Sequence, residues 1–245
     1  MKILVCISSV PDTTTKITFT DNNTEFNTSG VQFIVNPYDE IALARALELT
    51  EGGKGSVTVI HVGTADSEPV IRKALAMGAD DAIRVNTAPR DAFFVSKQIA
   101  GLAAAEKYDI ILCGRESIDY NGGQVGAMIG ELLHIPSISI VKKITVEENK
   151  GILEREIEGG KEIVETNLPF VASCSEGVAE PRIPNMRGIM TARAKTLNVV
   201  EAEDTARLQY NSSYEVPAPR GQVKMIDAAT PEKLIELLHE EAKVI

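Results

Sequence analysis

The sequence has few residues that could form a metal site or a disulfide framework. Its three cysteines are widely separated: Cys6, Cys113 and Cys174. Its three histidines are equally scattered: His61, His134 and His239. Each cysteine lies in or at the end of an apolar segment, and no histidine has a second ligand at metal-binding spacing. We therefore expect the cysteines to be buried small hydrophobic residues in a reducing compartment, and we expect no metal.

The sequence also lacks long hydrophobic runs. No apolar segment approaches the roughly 20 residues that a helix needs to cross a bilayer. Met1 and Lys2 lead directly into the apolar segment Ile3–Ile7, without the pattern of a signal peptide. These features predict a cytoplasmic protein with no membrane insertion.

Positive charge is scarce relative to negative charge. The chain has 25 Lys and Arg against 35 Asp and Glu, which gives a net charge of -10 and a pI near 4.9. Binding to nucleic acid or to an anionic membrane needs a basic surface, so this balance argues against both as partners. A length of 245 residues is enough for one main α/β domain with an appendage.

The first two thirds of the chain alternates short β-branched segments with helical patterns. The predicted strands are Ile3–Ile7, Val57–Val62, Ala82–Val85, Asp109–Cys113 and Ser137–Val141. The predicted helices are Pro37–Thr50, Glu68–Met77, Ala92–Ala105 and Gln124–Leu133. This alternation predicts an α/β fold with a mostly parallel, doubly wound sheet of the Rossmann-like, adenine-nucleotide-binding kind. Ligands of such sheets bind outside the carboxyl ends of the strands.

Three segments depart from this alternation. Pro11–Val35 is typical of a hairpin excursion that forms a flap near the ligand-binding edge. Residues 142–166 alternate apolar and polar side chains around glycine turns, which predicts an antiparallel hairpin extension followed by a buried strand, Phe170–Cys174. From Val199 the chain is irregular and ends in an amphipathic helix, Pro231–Lys243, for which Thr230 is a plausible N-cap.

We divide the chain into an α/β domain of residues 1–198, with a loop of residues 176–195, and a C-terminal arm of residues 199–245. The arm either docks on a partner or folds back on its own sheet.

The segment Cys113–Ile135 carries the strongest sign of a ligand site. An apolar strand leads into a glycine-rich loop and then an amphipathic helix, an arrangement that binds anions through free N–H groups and the helix dipole. Gly122 and Gly123 would let a phosphate approach the backbone. In the dinucleotide fingerprint, Asn121 would occupy the first glycine position, so an NAD-type site is poorly supported.

Two other segments have features of binding surfaces. Asn36 can cap the helix that Pro37 begins, and Tyr38 lies on its first turn, where an aromatic ring is poorly placed for the core and well placed against a planar ligand. The loop of residues 176–195 presents aliphatic side chains among charged ones, which is typical of a protein–protein anchor. The aliphatic residues are Ile183, Met186 and Ile189, and the nearby basic residues are Arg182, Arg187, Arg193 and Lys195.

Several motifs in the same order resemble the β-subunit family of electron transfer flavoproteins. They are the MKILVCISSVPD opening, VNPYDEIALARALEL, IRKALAMGADDAIRV, CGRESIDYNGGQVGAMIGELL, the LEREIEGG hairpin and SEGVAEPRIPNMRGIMTARAK. The resemblance covers nearly the whole chain. It implies an electron carrier and not an enzyme, with a nucleotide-binding α/β fold.

The resemblance also implies two cofactors. FAD would be held mainly by an α subunit in a heterodimer, with Tyr38 near the flavin. A structural AMP would be held by this chain, at residues matched through the family motifs. Those residues are Cys6, Asn36, Pro37, Tyr38, Asp39, Val62, Asp119, Tyr120, Asn121, Gly122, Gly123, Gln124, Val125, Gly126, Ala127 and Met128.

Further partners follow from the same resemblance. The carrier would take electrons from acyl-CoA dehydrogenases in fatty acid oxidation and deliver them to a membrane quinone oxidoreductase. Met186 aligns with an aliphatic anchor that enters a pocket on the dehydrogenase, with Ile183 and Ile189 beside it. Glu156 matches an acidic residue that steadies the mobile flavin domain of the α subunit, although the sequence alone favours a solvated hairpin carboxylate.

Two alternatives remain open. Bifurcating members of the family hold a second FAD in place of AMP and react with NADH. From a different class, nucleotide-binding stress proteins use the same layout to bind ATP. The second alternative lacks a P-loop, because Gly52-Gly53-Lys54-Gly55 does not match G-x-x-x-x-G-K-[ST] and is typical of the end of a helix.

Overall fold

The computed structural model describes all residues from 1 to 245. The strands are β1 (Lys2–Cys6), β2 (Ser9–Pro11), β3 (Phe19–Thr20), β4 (Glu25–Phe26), β5 (Phe33–Val35), β6 (Ser56–Gly63), β7 (Asp81–Asn86), β8 (Ile110–Gly114), β9 (Ser137–Glu147), β10 (Lys150–Ile157), β11 (Gly160–Asn167), β12 (Phe170–Cys174) and β13 (Leu197–Glu201). The helices are α1 (Pro37–Thr50), α2 (Glu68–Met77), α3 (Ala92–Glu106), α4 (Val125–Leu133), α5 (Met186–Ala192) and α6 (Glu232–Glu240). The four helices predicted in the first two thirds of the chain, and the strands that alternate with them, are therefore present.

Nine strands form one sheet in the order β11-β10-β9-β12-β8-β1-β6-β7-β13. The seven strands from β9 to β13 in this order pair in parallel, whereas β9, β10 and β11 pair antiparallel. The predicted α/β fold, with a doubly wound parallel sheet and a hairpin extension, is confirmed. The chain builds outward from β1 to β6 and β7, and then crosses to β8 on the other side of β1.

Helices cover both faces of the sheet, because the parallel strands are apolar on both sides. On one face, side chains such as Val5 and Val59 pack with Leu43 of α1 and Leu75 of α2. On the other face, a second cluster that includes Ile60 packs with side chains of α3 and α4. Two-sided burial explains why the strands read as continuous apolar segments in the sequence.

The sequence predicted that one strand ends at Val141 and that a separate hairpin begins at residue 142. This boundary is wrong, because β9 runs without interruption to Glu147. Ile140 adopts a left-handed conformation with φ of 59° at this point, and the pairing with β12 shifts register there. The N–H of Ile140 donates to the Ser173 hydroxyl at 2.9 Å. A bulge of this kind turns one strand from parallel pairing with β12 to antiparallel pairing with β10.

The edge strand β13 was not predicted, and the predicted domain boundary at residue 198 falls inside it. The chain beyond it is held against α3 by side chains. Gln98 receives a hydrogen bond from the N–H of Glu203 and donates to its carbonyl, while Asp91 accepts from the N–H groups of Leu208 and Gln209. The main compact unit consequently comprises residues 1–17 and 27–212.

A second compact unit comprises residues 18–26 and 213–245. Within it, the Phe19 and Tyr214 rings stack with their centroids 4.8 Å apart. The unit ends in α6, which begins after Pro231, so the predicted N-cap Thr230 does not cap it; its hydroxyl bonds the Asp227 carbonyl instead. None of the helices of the chain is long and apolar enough to cross a membrane.

Helices α2 and α5 exchange side-chain caps at their carboxyl ends. Arg72 of α2 donates to the carbonyls of Ala192 and Lys195, at 3.0 and 2.8 Å. The ammonium of Lys195 in turn donates to the carbonyls of Leu75 and Ala79 beside the end of α2. Cations placed at helix carboxyl ends satisfy free carbonyls and favour the dipole, so this exchange fixes α5 on α2.

Replacing Arg72 with methionine should loosen α5 without unfolding the sheet. Hydrogen bonds from a charged donor contribute about 2 kcal/mol, so amide protection in residues 186–195 should fall roughly 30-fold. Hydrogen exchange followed by mass spectrometry measures this change. Lys73→Met is the matched control, because the Lys73 ammonium pairs with Glu40 and not with a carbonyl of residues 186–195. Equal exchange in the two variants would contradict the assigned role of Arg72.

Candidate functional site

A cavity of about 680 Å³ lies at the carboxyl ends of β1 and β8. The strand order reverses between these two strands, because β6 follows β1 on one side and β8 lies on the other. The loops that leave the two strands therefore diverge and open a crevice, which is the usual ligand site of doubly wound sheets. The position agrees with the strand ends that the sequence indicated.

The cavity brings together ten of the sixteen residues matched to the nucleotide site. They are Cys6, Asn36, Asp39, Val62, Asp119, Tyr120, Gly122, Gly123, Val125 and Gly126. The other six do not line it: Pro37, Tyr38, Asn121, Gln124, Ala127 and Met128.

Asp39 joins the two strand ends beneath the cavity. Its Oδ2 accepts hydrogen bonds from the N–H and the hydroxyl of Ser8, both at 2.7 Å, and its Oδ1 accepts from the N–H of Gly114 at 2.9 Å. Burial raises the pKa of Asp39 to about 6, in opposition to these hydrogen bonds, which lower it. The carboxyl group is thus a structural link between α1, β1 and β8.

The titration of Asp39 should make stability depend on pH. Because its pKa in the folded chain lies above its unfolded value, the folded state binds more protons between about pH 4 and pH 6. Relative to Asp39→Asn, the wild type should lose up to about 3 kcal/mol of unfolding free energy as the pH rises through this window. Urea unfolding of both proteins at several pH values measures it. If the wild type instead became more stable relative to Asp39→Asn as the pH rises, the hydrogen bonds would outweigh burial in setting the pKa of Asp39.

The sequence suggested that the Asn36 side chain caps α1, but it does not. Its amide nitrogen donates to the Glu116 carbonyl at 2.8 Å, and its amide oxygen accepts from the N–H of Ile118. The main-chain carbonyl of Asn36 instead accepts from the N–H groups of Asp39 and Glu40. The buried side chain therefore connects α1 to the glycine-rich loop of residues 114–124.

Tyr38 packs against the core, so the expectation that it is poorly placed for core packing is wrong. Its ring is half-buried and lies 5.8 Å from the guanidinium carbon of Arg115. A cation over an aromatic face stabilises both groups.

The glycines of the loop have different roles. An added Cβ at Gly122 would lie 2.0 Å from the Tyr120 ring, so this glycine makes room for the tyrosine. The atom nearest to an added Cβ would be the Arg115 carbonyl oxygen at 3.1 Å for Gly123 and the Cys113 sulfur at 3.6 Å for Gly126. No side chain caps the N-terminus of α4, which follows directly. Free N–H groups at a helix start beside a cavity can bind an anion.

Several lining residues were missed by the sequence analysis. Thr28 and Phe33 come from the hairpin excursion, which forms one wall as the flap prediction implied. Ala92, Val95 and Ile99 come from α3, whose first turn follows the β7 strand end. A helical repeat of apolar residues after a strand end was the only available signal, and it does not distinguish a cavity wall from core.

The cysteines are all buried and free, as predicted. A hydrogen bond with the Cys113 thiol, together with burial, raises the pKa of Cys6 well above its ordinary value. Burial likewise raises the pKa of Cys174. No group of three or more histidine, cysteine or carboxylate side chains could hold a metal ion.

A second candidate surface lies on the loop before α5 and on α5 itself. Ile183 and Met186 are 93% and 74% exposed, and Ile189 is 43% exposed. Lys195 is not free for a partner, because it caps α2. Glu156 lies apart from this surface, on the hairpin, where it pairs with Lys142.

Comparisons with known proteins give one consistent family. The family model described as "Electron transfer flavoprotein domain" matches residues 24–205. The electron transfer flavoprotein subunit beta of Bacillus subtilis is 31% identical over 259 aligned positions, which cover 100% of both chains. The subunit of the same name from Thermoanaerobacterium thermosaccharolyticum is 36% identical and covers 83% of this chain and 80% of its own length.

A third relative carries a different name. The caffeyl-CoA reductase-Etf complex subunit CarD of Acetobacterium woodii is 33% identical over 209 positions, which cover 83% of this chain and 79% of the relative. The family thus includes chains that are named for a larger reductase complex.

Proposed function

The chain belongs to the β-subunit family of electron transfer flavoproteins, and on that premise we propose that it is the nucleotide-holding and partner-docking half of a heterodimeric electron carrier. The resemblance inferred from the sequence motifs is thereby confirmed. The family supports a role in electron transfer. The observation that carries the proposal is the cavity at the strand reversal, with the uncapped start of α4 in its wall.

The cavity would hold AMP. Gly123, Gly126 and the first turn of α4 would receive its phosphate through backbone N–H groups. The apolar side chains of Val62, Val95 and Ile99 would pack against the base. The nucleotide would supply no redox chemistry. It would fill the crevice and order the loops that Asn36 and Asp39 connect.

FAD would be held mainly by an α subunit, as expected for a β subunit of this family. FAD supplies the reversible electron storage of the carrier. Tyr38 would lie near the flavin, and Glu156 would steady the mobile flavin domain of that subunit.

The three reduced cysteines support a cytoplasmic location for the heterodimer.

The exposed aliphatic group of Ile183, Met186 and Ile189 would dock acyl-CoA dehydrogenases, and electrons would pass on to a membrane quinone oxidoreductase. A small apolar anchor suits a carrier that must also dissociate from its partner. The caps exchanged by Arg72 and Lys195 would hold this anchor in a fixed position.

A bifurcating type, with a second FAD in the cavity and a reaction with NADH, is the second candidate. The similarity to a subunit named for a caffeyl-CoA reductase-Etf complex supports keeping it as a candidate, because that relative works within a reductase complex by its name. The segment Asn36–Leu49 favours the first candidate, because its sequence resembles the AMP-holding type. Nothing in the cavity favours the ATP-binding stress-protein alternative.

Cofactor analysis of the heterodimer separates these candidates. The chain is co-produced with an α-type subunit, purified, and its bound nucleotides are released and quantified by chromatography. One FAD and one AMP per heterodimer are expected. Two FAD would establish the bifurcating type, whereas ATP or the absence of flavin would contradict the proposal.

A further inference from the structure

The sulfur-containing residues that are open to solvent are all methionines. Cys6, Cys113 and Cys174 are buried and free. A hydrogen bond with the Cys113 thiol and burial raise the pKa of Cys6, and burial raises the pKa of Cys174, so the thiolate is scarce at both. Oxidation by peroxide follows thiolate character and exposure. The cysteines are therefore protected, and an oxidant in solution reacts with thioethers.

Two of the three exposed methionines lie together on α5. Met186 and Met190 are 74% and 69% exposed, and their spacing of four residues places them on the same side of the helix. The third, Met225, belongs to the second compact unit. Met77 is buried in the core. An oxidant therefore meets two neighbouring thioethers on the helix that is proposed to dock a dehydrogenase.

A sulfoxide at this position opposes docking. An apolar anchor stabilises a complex because it leaves water for a desolvated pocket on the partner. Oxidation converts the apolar thioether of Met186 or Met190 into a polar, chiral group. Burial of that group in the same pocket would cost free energy, because it would lose its hydrogen bonds to water.

Oxidation should leave α5 itself in place. Arg72 and Lys195 fix the helix on α2 through main-chain carbonyls. The side chain of Asn185 accepts a hydrogen bond from the N–H of Gly188 at 2.8 Å and caps its start. None of these contacts uses a methionine side chain, and the two thioethers are largely in solvent. The change should therefore alter the affinity for a partner and not the fold.

We propose that Met186, together with Met190, forms an oxidation-sensitive site at which conversion to methionine sulfoxide releases the dehydrogenase. The inference rests on the docking function proposed above and adds its regulation. The oxidant is hydrogen peroxide, which is a product of the reaction of reduced flavins with dioxygen, so a flavoprotein carrier is exposed to it.

The chemical step is a transfer of one oxygen atom. A lone pair of the methionine sulfur attacks one oxygen of the peroxide, the S–O bond forms and the O–O bond breaks. The hydroxide that leaves takes up the proton of the transferred oxygen and becomes water. Methionine sulfoxide reductases reverse the change with a thiol reductant, which becomes a disulfide while the sulfoxide oxygen leaves as water. The site can therefore return to its docking state.

Controlled oxidation of the purified heterodimer tests the inference. The complex is treated with hydrogen peroxide, catalase ends the reaction, and peptide mass spectrometry maps the sulfoxides. Met186, Met190 and Met225 should be oxidised before Met77. The affinity for an acyl-CoA dehydrogenase, measured by biolayer interferometry, should fall at least about tenfold, because a sulfoxide is costly to desolvate. Treatment with both methionine sulfoxide reductases should restore it.

Leucine variants identify the residues responsible, because leucine is apolar, has a similar volume and contains no sulfur. Each variant is compared with its own untreated sample, so that only the effect of peroxide is measured. In the double variant Met186→Leu, Met190→Leu, peroxide should change the affinity less than about twofold. Met225→Leu is the matched control and should keep the full loss. Circular dichroism verifies that all samples are folded.

The outcomes separate this inference from the proposed function. Oxidation of Met186 and Met190 without a loss of affinity would overturn the inference and leave the docking function standing. A loss that persists in the double leucine variant would overturn the assignment to these residues. An untreated heterodimer that does not bind the dehydrogenase would overturn the docking function, and the inference with it.

Discussion

Gly114→Ala is expected to lower the free energy of unfolding by about 3 kcal/mol and to abolish nucleotide retention. An added Cβ would lie 2.3 Å from Oδ1 of Asp39, 2.7 Å from Cβ of Tyr38 and 2.8 Å from the Asp39 nitrogen. Two of these atoms belong to the first turn of α1 and cannot rotate away. The helix must therefore move from β8, and the hydrogen bond between the Gly114 N–H and Asp39 is lost.

Urea unfolding and chromatography of bound nucleotide measure the two effects. Gly160→Ala makes the same chemical change at a hairpin position with no atom within 4 Å of the added Cβ, and it should leave both quantities near their wild-type values. Gly126→Ala makes the same change in the wall of the cavity, where the nearest atom to the added Cβ is the Cys113 sulfur at an ordinary contact distance of 3.6 Å. A Gly114→Ala protein that unfolds like wild type would show that the junction of β8 and α1 can relax.

Met186→Ala is expected to reduce the rate of electron transfer from an acyl-CoA dehydrogenase at least about tenfold. Truncation of a central apolar anchor typically costs 2 kcal/mol or more of binding free energy. Met186 begins α5 and is largely exposed, so its loss should not affect the sheet or the cavity. Flavin and nucleotide contents should therefore stay at wild-type levels while reduction of the flavin slows.

Met190→Ala provides a matched comparison, because Met190 is on the same helix and is 69% exposed. A small effect of Met190→Ala beside a large effect of Met186→Ala would support a single anchor. Equal effects would contradict that assignment and favour a diffuse apolar surface. Loss of flavin in Met186→Ala would place the residue in heterodimer assembly instead of docking.

Helix boundaries followed closely from the sequence where local chemistry marks them. Pro37 begins α1, Gly52 and Gly53 follow its end, and Gly78 ends α2. These residues act through their own backbone preferences and need no distant partner. The strand β13 was missed for the opposite reason: Leu197–Glu201 is only partly buried and becomes a strand by pairing with β7, which is remote in sequence.

Within the site, the sequence indicated the edge of the sheet but not the direction of each side chain. Asn36 was expected to cap its own helix and instead bonds the loop at Glu116, 80 residues away. Tyr38 was expected to be poorly placed for the core, but its ring packs against the core and lies beside Arg115. Both roles depend on how far α1 lies from β8, and no local pattern encodes that distance.

The sequence by itself determined the fold class, the family and the location of the glycine-rich loop, because strand and helix periodicity, glycine placement and motif order are local properties of the chain. Only the tertiary structure decided that Asp39 joins β1 to β8, that Arg72 and Lys195 fix α5 on α2, and that the cavity wall carries carboxylates without a cation. Each of these depends on residues that are distant in sequence and become neighbours only in the folded sheet. Hydrogen bonds and charges act through that spatial distance and not along the chain.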